Sequence, residues 1–372
     1  MDTLTPDFSV PVVVIVYNRP RLARNLIGGL RKVKPRHILI VSDGPKPEKI
    51  GDNLLVDATR RELEAIDWPC RIDRNYAETN LGLSLRIRSG LDWAFGIVDQ
   101  AIILEDDIDA VPDFFYWSQR MLDTYRNRDD IAMICGHNPL IRWPEGSPGT
   151  SAILSQRGAW HGWATYARAW ISVQQWDLTQ HANSMERDTA RQGLEPALGS
   201  LRESYLNDFF ALRQVAPSES LSVDVDFTLK MSLSGRFSVC SPVNFIHHLG
   251  VGPDATHHVD SDETLFHLPR HKLEIPETLR ALPLGVVDYK FDRARVFIEL
   301  LVRASNPRVA RKLARFGNLP LDLDLRVHLL PFIHADETIE LIDHLHSEGL
   351  EDSIYNYWHT ALSDMPNQGG AT

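Results

Sequence analysis

The feature that most constrains the fold is a regular alternation of two hydrophobic periods over residues 10–104. Residues 10–17 form a nearly continuous apolar run rich in β-branched side chains, which is typical of a strand covered on both faces. The run ends at Asn18, Arg19 and Pro20, where Asn can cap a helix and Pro suits its first turn. Apolar residues then recur at helical spacing, so the pattern predicts a strand followed by a helix.

The same alternation continues along the chain. The next predicted strands and helices cover, in order, residues 37–42, 53–66, 71–76, 83–95, 101–104, 114–126 and 131–135. Strands that alternate with helices predict an α/β fold with a mostly parallel, Rossmann-like sheet flanked by helices. In such sheets ligands bind beyond the carboxyl ends of the strands.

Charged residues stand at three of these predicted strand ends. Arg19 follows the first strand, Asp43 follows the second, and the tripeptide Glu105-Asp106-Asp107 follows the fourth. A single Asp or Arg in a loop is usually a solvated turn former. Their joint placement predicts one crevice that collects them all.

Composition excludes several classes of protein. The formal net charge of -11 argues against nucleic acid as a partner, because phosphate backbones are bound by a surplus of Lys and Arg. The three cysteines, Cys70, Cys135 and Cys240, lack metal-ligand or redox spacing and indicate a reducing compartment. The first nine residues resemble no signal peptide and no apolar run reaches membrane-spanning length. A cytoplasmic location is therefore the expectation.

The acidic tripeptide indicates divalent-cation chemistry. Two or three carboxylates that end a buried strand can bind Mg²⁺ or Mn²⁺, and the cation can then bridge phosphate oxygens. A leaving diphosphate gains negative charge in the transition state and needs such a partner. The sequence thus predicts Mn²⁺ or Mg²⁺ as a cofactor.

Five motifs stand in the same order as in GT-A glycosyltransferases of the N-acetylglucosaminyltransferase I type, which the chain resembles over roughly residues 10–260. They are VIVYNRP (14–20), SDG (42–44), NLGLS (80–84), ILEDD (103–107) and GWAT (162–165). The resemblance implies transfer of a sugar, with inversion, from a nucleotide sugar to a glycan or lipid-linked glycan acceptor. A UDP-linked donor is favoured by this likeness alone.

The resemblance also implies roles for individual residues. It assigns nucleotide-sugar contacts to Arg19, Asp43, Arg86, Glu105, Asp106, Gly162 and Trp163. Asp43 would lie near the base and Asp106 near the ribose, while Asp107 would be the direct metal ligand. For Arg86, an exposed helical arginine is the alternative.

The aromatic segment 158–166 resembles the family's loop beneath the donor sugar. The face of Trp163 offers a sugar an apolar platform, and Gly162 lets the backbone approach closely. Trp160 is a weaker candidate for the same role. Tryptophans at this spacing are also common in a plain hydrophobic core.

An inverting transfer needs a carboxylate that deprotonates the acceptor hydroxyl. Residues 222–228 precede Gly235-Arg236 and Pro242 at about the distance at which the family's catalytic Asp precedes similar residues. This spacing favours Asp226, with Asp224 close behind because strand alternation would place both on one face.

Residues 244–258 combine four histidines with glycine turns. Many GT-A enzymes use a late histidine as a second metal ligand, which here implies His248 or His257. Residues 250–256 are predicted to form a lid over the phosphates. A glycine-rich surface loop with solvated histidines is the alternative.

We expect a GT-A catalytic domain at residues 1–285, with a nucleotide-sugar half at about 10–110 and an acceptor half at about 111–285. Residues 286–372 would form a C-terminal helical region. Within it, basic residues beside an apolar stripe at 290–315 could contact an anionic membrane, although docking against the rest of the protein is favoured.

Two rival functions remain open at this point. One is a non-catalytic scaffold that binds nucleotide sugars with the same fold. The other is a nucleotidylyltransferase, although the glycine-rich basic loop that usually follows the first strand of such enzymes is missing from the sequence. The dinucleotide and P-loop fingerprints are missing as well.

Overall fold

The computed structural model describes residues 8–143, 149–175 and 223–250, together with 268, 270–276, 278–288, 291, 292 and 295. Four parts of the predictions lie outside the described residues: His257, most of the predicted lid, nearly all of the basic segment 290–315, and residues 316–372. No helix of the described part is long and apolar enough to cross a membrane.

The chain divides into two compact units. The first comprises Met1–Asn138, Glu145–Trp176 and Ser222–Gly285, and the second comprises Pro139–Pro144, Asp177–Leu221 and Val286–Thr372. In the described part of the second unit, Trp143 donates a hydrogen bond from Nε1 to Asp288 Oδ2 at 2.9 Å and packs against the ring of Phe291. Every candidate residue that is described belongs to the first unit.

The first unit contains ten strands and six helices among its described residues. In chain order they are β1 (Val12–Val16), α1 (Pro20–Leu30), β2 (His37–Ser42), α2 (Asp52–Leu63), β3 (Arg71–Tyr76), α3 (Leu83–Phe95), β4 (Gln100–Glu105), β5 (Ile108–Ala110), α4 (Pro112–Thr124), β6 (Ile131–Cys135), β7 (Ile153–Ser155), β8 (Trp163–Tyr166), α5 (Ala167–Gln174), α6 (Val223–Leu233), β9 (Phe237–Cys240) and β10 (Ile246–His248).

Eight of the strands form one sheet in the order β3-β2-β1-β4-β8-β6-β9-β7. The pairs within β3-β2-β1-β4 are parallel, whereas β8 and β7 run antiparallel to their neighbours. Six of the eight strands therefore point the same way. This arrangement confirms the predicted α/β fold with a mostly parallel, Rossmann-like sheet flanked by helices.

Hydrophobic burial explains why the first strands and helices could be predicted from the sequence. Strands β1 and β2 are buried along almost their whole length because helices cover the sheet. Helix α1 begins with Pro20 at its first turn and buries one apolar stripe, formed by Leu22, Ala23, Leu26, Ile27 and Leu30. Strand β3 lies at the sheet edge, and its side chains are correspondingly more exposed.

A second, two-stranded sheet brings distant parts of the chain to the end of β4. Strand β5 pairs antiparallel with β10, so that His248 lies opposite Ile108 and Ile246 lies opposite Ala110. The amide of Leu249 also donates to the carbonyl of Asp107 at 2.6 Å. This pairing anchors the segment after β10 directly beside the acidic tripeptide.

One local prediction was wrong. Residues 223–233 form helix α6 rather than a strand, because the short Val-Asp-Val-Asp alternation belongs to a longer segment in which Val223, Phe227 and Met231 are buried at helical spacing. Residues two apart on a helix are separated by about 200°. Asp224 and Asp226 therefore do not share a face, contrary to the expectation.

Candidate functional site

Arg19 and the acidic tripeptide meet because their strands are neighbours. Strand β1 pairs parallel with β4, and both loops leave the sheet at the same edge. Arg19 places Nη2 2.7 Å from Asp106 Oδ1 and Nη1 3.0 Å from Asp107 Oδ2. One guanidinium thus bridges two buried carboxylates at the carboxyl ends of the strands, the edge at which ligands bind in such folds.

The acidic tripeptide holds more negative charge than Arg19 neutralises. Burial, reinforced by Asp107 and Asp106, raises the pKa of Glu105 to about 8. Burial also raises the pKa of Asp106 to about 7, against the lowering effect of Arg19. Removal from water is the larger cause of both raised pKa values, and the neighbouring acidic charges add to it.

Two of the predicted metal ligands lie side by side. His248 Nε2 is 3.7 Å from Asp107 Oδ2, and a Cβ on Gly250 would lie only 2.3 Å from the same oxygen. Among the described residues, no three His, Cys, Asp or Glu side chains are arranged as a ready metal site. A carboxylate and an imidazole are nevertheless ligand types that bind Mn²⁺, and these two lie close together. Mg²⁺ would be bound through the carboxylate alone.

The ring of His248 also belongs to a row of imidazoles. It packs edge-on against His161 with ring centroids 4.6 Å apart, and His161 packs in the same way against His137 at 5.3 Å. The sequence analysis did not single out His161 or His137. The only sequence sign was the position of His161 beside Gly162 in the aromatic loop.

Asp43 joins two loops at this edge of the sheet. Its carboxylate accepts hydrogen bonds from the amides of Gly44 and Leu81 and from the side chain of Asn80, at 2.8–2.9 Å. A Cβ on Gly44 would lie 2.4 Å from the backbone of Thr79, which explains the glycine. Asp43 thus fixes the loop before α3 against the loop after β2.

Arg86 is buried rather than exposed. Only 4% of the residue is accessible, and Nη2 donates to both the carbonyl and the side-chain oxygen of Asn75. Burial lowers the pKa of the guanidinium, although nearby Asp43 opposes this. The exposed-helix alternative is therefore wrong, and Arg86 ties helix α3 to the end of β3.

Asp52 is a buried residue that the sequence analysis missed. It is fully inaccessible and accepts hydrogen bonds from the Tyr17 hydroxyl, the Asn18 amide group and the main-chain amide of Lys46. Tyr17 and Asn18 immediately precede Arg19. Asp52 therefore fixes the loop that carries Arg19, and only its position at a helix start signalled it in the sequence.

The aromatic loop places its two tryptophans differently. Trp163 is 1% exposed and packs against Trp160 and Phe227, with centroids 4.6 and 5.9 Å away. Trp160 is half-buried and donates from Nε1 to Thr228 Oγ1 at 3.2 Å. Trp160 is thus the more accessible of the two rings.

Gly162 is required by packing and by backbone conformation. Its φ is +67°, and a Cβ there would lie 2.5 Å from Ile246 Cδ1. Its carbonyl accepts a hydrogen bond from the amide of Gly136 at 3.0 Å. The close approach at this glycine is therefore to strand β10.

The two candidate bases have different surroundings. Asp226 is 4% exposed, and its Oδ2 lies 3.0 Å from Lys230 Nζ and 3.3 Å from Arg88 Nη2. Asp224 is half-buried and close enough to Glu105 for its charge to raise the pKa of that carboxyl. Asp226 is thus paired with two cations of the protein, and the charge of Asp224 acts on Glu105.

Comparisons with known proteins give structural neighbours only. No protein-family model matches the chain, and no curated protein matches it. A solved structure described as a glucose-1-phosphate thymidylyltransferase from Bacillus anthracis, in complex with a sucrose, overlaps 45% of this chain and 76% of its own, with a TM-score of 0.28 and 8% identity.

A UDP-glucose pyrophosphorylase complexed with UDP-glucose overlaps 63% of this chain and 91% of its own, with a TM-score of 0.31 and 8% identity. The ligand-free form of a UDP-glucose pyrophosphorylase covers 64% of this chain and 93% of its own chain, again with a TM-score of 0.31 and 8% identity.

Proposed function

We propose that this protein is a metal-dependent glycosyltransferase that takes its sugar from a nucleotide sugar. The observation that carries the proposal is the convergence of Arg19, the tripeptide Glu105-Asp106-Asp107 and His248 on one edge of a mostly parallel sheet. A diphosphate needs cationic partners there. Arg19 supplies one charge, and a divalent cation held by Asp107 supplies the rest.

Asp107 and His248 are the residues that would hold the cation. Its chemistry is to neutralise the diphosphate as that group leaves the sugar. A side chain at position 250 would press against the same oxygen of Asp107, which explains the glycine there. Glu105 and Asp106 directly precede Asp107 in the chain, and Arg19 would contact phosphate oxygens.

Asp224 is our proposed base for the acceptor hydroxyl. A general base acts through a carboxylate near the reacting groups. The charge of Asp224 acts on Glu105 of the acidic tripeptide, whereas Asp226 pairs with Lys230 and Arg88. The deprotonated acceptor would attack the sugar from the face opposite the diphosphate, which gives inversion.

The remaining candidate residues would help to bind the nucleotide-sugar donor. Asp43 and Asp52 fix the loops around the nucleotide, and Trp160 offers a partly accessible ring to the sugar. A UDP-linked donor and a glycan or lipid-linked acceptor follow from the sequence resemblance. The choice among sugars depends on the contacts that side chains of the site make with individual hydroxyl groups of the sugar.

The decisive experiment is a panel of nucleotide sugars incubated with the protein and Mn²⁺ or Mg²⁺, with separate detection of nucleoside diphosphate, free sugar and pyrophosphate. Release of nucleoside diphosphate that a chelator stops supports a glycosyltransferase. Metal-dependent pyrophosphate exchange would instead identify a nucleotidylyltransferase. Binding of a nucleotide sugar without turnover under any condition would leave a non-catalytic scaffold.

A further inference from the structure

Arg19 has a fixed main chain and a side chain that remains partly accessible. It is the residue before helix α1, and Pro20 follows it at the first helical turn. Its guanidinium reaches Asp106 and Asp107 while 23% of the side chain stays exposed. The charged head can therefore change partners without any movement of the helix.

One carboxylate oxygen is shared by two groups. Asp107 Oδ2 lies 3.0 Å from Arg19 Nη1 and 3.7 Å from His248 Nε2, and Gly250 closes a third side of it. A divalent cation that takes Asp107 as a ligand meets the positive charge of Arg19 at the same oxygen. Cation binding alone must therefore work against Arg19, since like charges repel at this distance.

A diphosphate changes this balance because it offers Arg19 another partner. Guanidinium groups bind phosphate oxygens through two parallel hydrogen bonds. Arg60 and Arg86, at the same edge of the sheet, already donate to main-chain carbonyls. Arg19 instead contacts only carboxylates in the contacts described above, and those carboxylates are the ones that a cation would occupy.

We propose that Arg19 couples the binding of the divalent cation to the binding of the nucleotide diphosphate. In the ligand-free protein Arg19 holds Asp106 and Asp107, and it transfers to the diphosphate when the cation takes Asp107. This inference rests on the proposed function. Its consequence is that each ligand binds better in the presence of the other, by the same factor.

The test uses Arg19→Gln, which keeps a polar side chain and removes the charge. Bare Mn²⁺ should bind this variant more tightly than the parent, because the competing cation is gone. UDP in the presence of Mn²⁺ should bind more weakly. The factor by which UDP strengthens Mn²⁺ binding, about 5–150-fold for a typical coupled pair, should fall but stay above one, because the cation itself still attracts the diphosphate.

Mn²⁺ affinity is read from the electron paramagnetic resonance signal of the free ion, with and without UDP, and UDP affinity from calorimetry. Arg24→Gln is the matched control, since Arg24 lies on the same helix, is 71% exposed and pairs with Glu62. It should match the parent in all of these measurements. Circular dichroism verifies that each variant is folded.

The outcomes separate this inference from the proposed function. If Mn²⁺ and UDP bind the parent but Arg19→Gln binds bare Mn²⁺ no more tightly and keeps the full coupling factor, the inference is overturned and the function stands. If the parent binds neither ligand, the proposed function fails. Tighter Mn²⁺ binding by Arg19→Gln supports the competition even where UDP proves to be the wrong nucleotide.

Discussion

The carboxylate of Asp226 lies 3.0 Å from the ammonium of Lys230, one turn further along the same helix. Arg88 approaches the same oxygen from helix α3 at 3.3 Å. The charge of Asp226 is thus paired within the protein, whereas the charge of Asp224 acts on Glu105. We therefore propose Asp224 rather than Asp226 as the base.

The first prediction therefore concerns the pair of Asp→Asn variants. Asp224→Asn should lower turnover by roughly two to four orders of magnitude and leave donor affinity nearly unchanged, as expected for loss of a general base. Asp226→Asn should instead reduce the free energy of unfolding by about 1–3 kcal/mol, because Lys230 and Arg88 lose a charged partner. Turnover assays and urea unfolding of both variants check this, and equal turnover of Asp224→Asn and the parent would remove Asp224 as the base.

The second prediction concerns Asp107. Asp107→Ala should abolish the strengthening of UDP binding by Mn²⁺, because it removes the carboxylate that would hold the cation. The melting temperature without ligand should change little, since Arg19 keeps its ion pair with Asp106 when Asp107 is replaced. Calorimetric titration of UDP with Mn²⁺ and with chelator is the measurement. UDP affinity that is equal with and without metal in the parent would contradict the metal-dependent mechanism.

The third prediction tests the close approach at Gly250. Gly250→Ala places a methyl group where a Cβ lies 2.3 Å from Asp107 Oδ2, so it should displace that oxygen and weaken Mn²⁺-dependent UDP binding about tenfold or more. Gly28→Ala is the matched control, because a Cβ there meets nothing within 4 Å. In that helix position it should raise stability by about 0.5–1 kcal/mol and leave binding unchanged.

The fourth prediction concerns the pH dependence of stability through Asp52. Burial raises its pKa, but the hydrogen bonds from Tyr17, Lys46 and Asn18 outweigh burial and lower the pKa below the ordinary value of 3.8. A carboxyl with a lowered folded pKa stabilises the protein above its ordinary pKa, and that stabilisation is lost as pH falls through the folded pKa.

Asp52→Asn should thus lower the free energy of unfolding at pH 7 by about 1–3 kcal/mol, and the difference from the parent should shrink on acidification below about pH 4. Urea unfolding at a series of pH values measures this. Asp57→Asn, an exposed position on the same helix, should follow the parent at every pH. A pH-independent difference for Asp52→Asn would show that the charge of Asp52 is not what stabilises the fold.

The fifth prediction separates the two tryptophans. Trp163→Ala should cost about 3–5 kcal/mol of stability, because the side chain is 1% exposed and packed between rings. Trp160→Ala should be better tolerated and should reduce the affinity for a nucleotide sugar more than the affinity for the free nucleotide. Thermal unfolding and paired calorimetric titrations check this, and equal losses for sugar-bearing and sugar-free nucleotides would exclude Trp160 as the platform.

The sequence by itself determined the elements whose signal is local. Strands β2, β3 and β6 and helix α3 begin and end where the hydrophobic period predicted, because burial on a sheet or along a helical stripe imposes its own repeat on neighbouring residues. The adjacency of Arg19 and the acidic tripeptide was also predictable. Parallel strands bring their carboxyl ends to one edge of the sheet.

Only the tertiary structure decided what depends on partners far along the chain. The four residues 223–226 fit either a strand or a helix period, and the helix is decided by the packing of α6 against α3 and α5. Arg88 neutralises Asp226 from 138 positions away, and the pairing of β5 with β10 brings His248 to Asp107. These contacts leave no periodic trace in the sequence, because each is made by single side chains or three-residue strands whose stability comes from the surrounding fold.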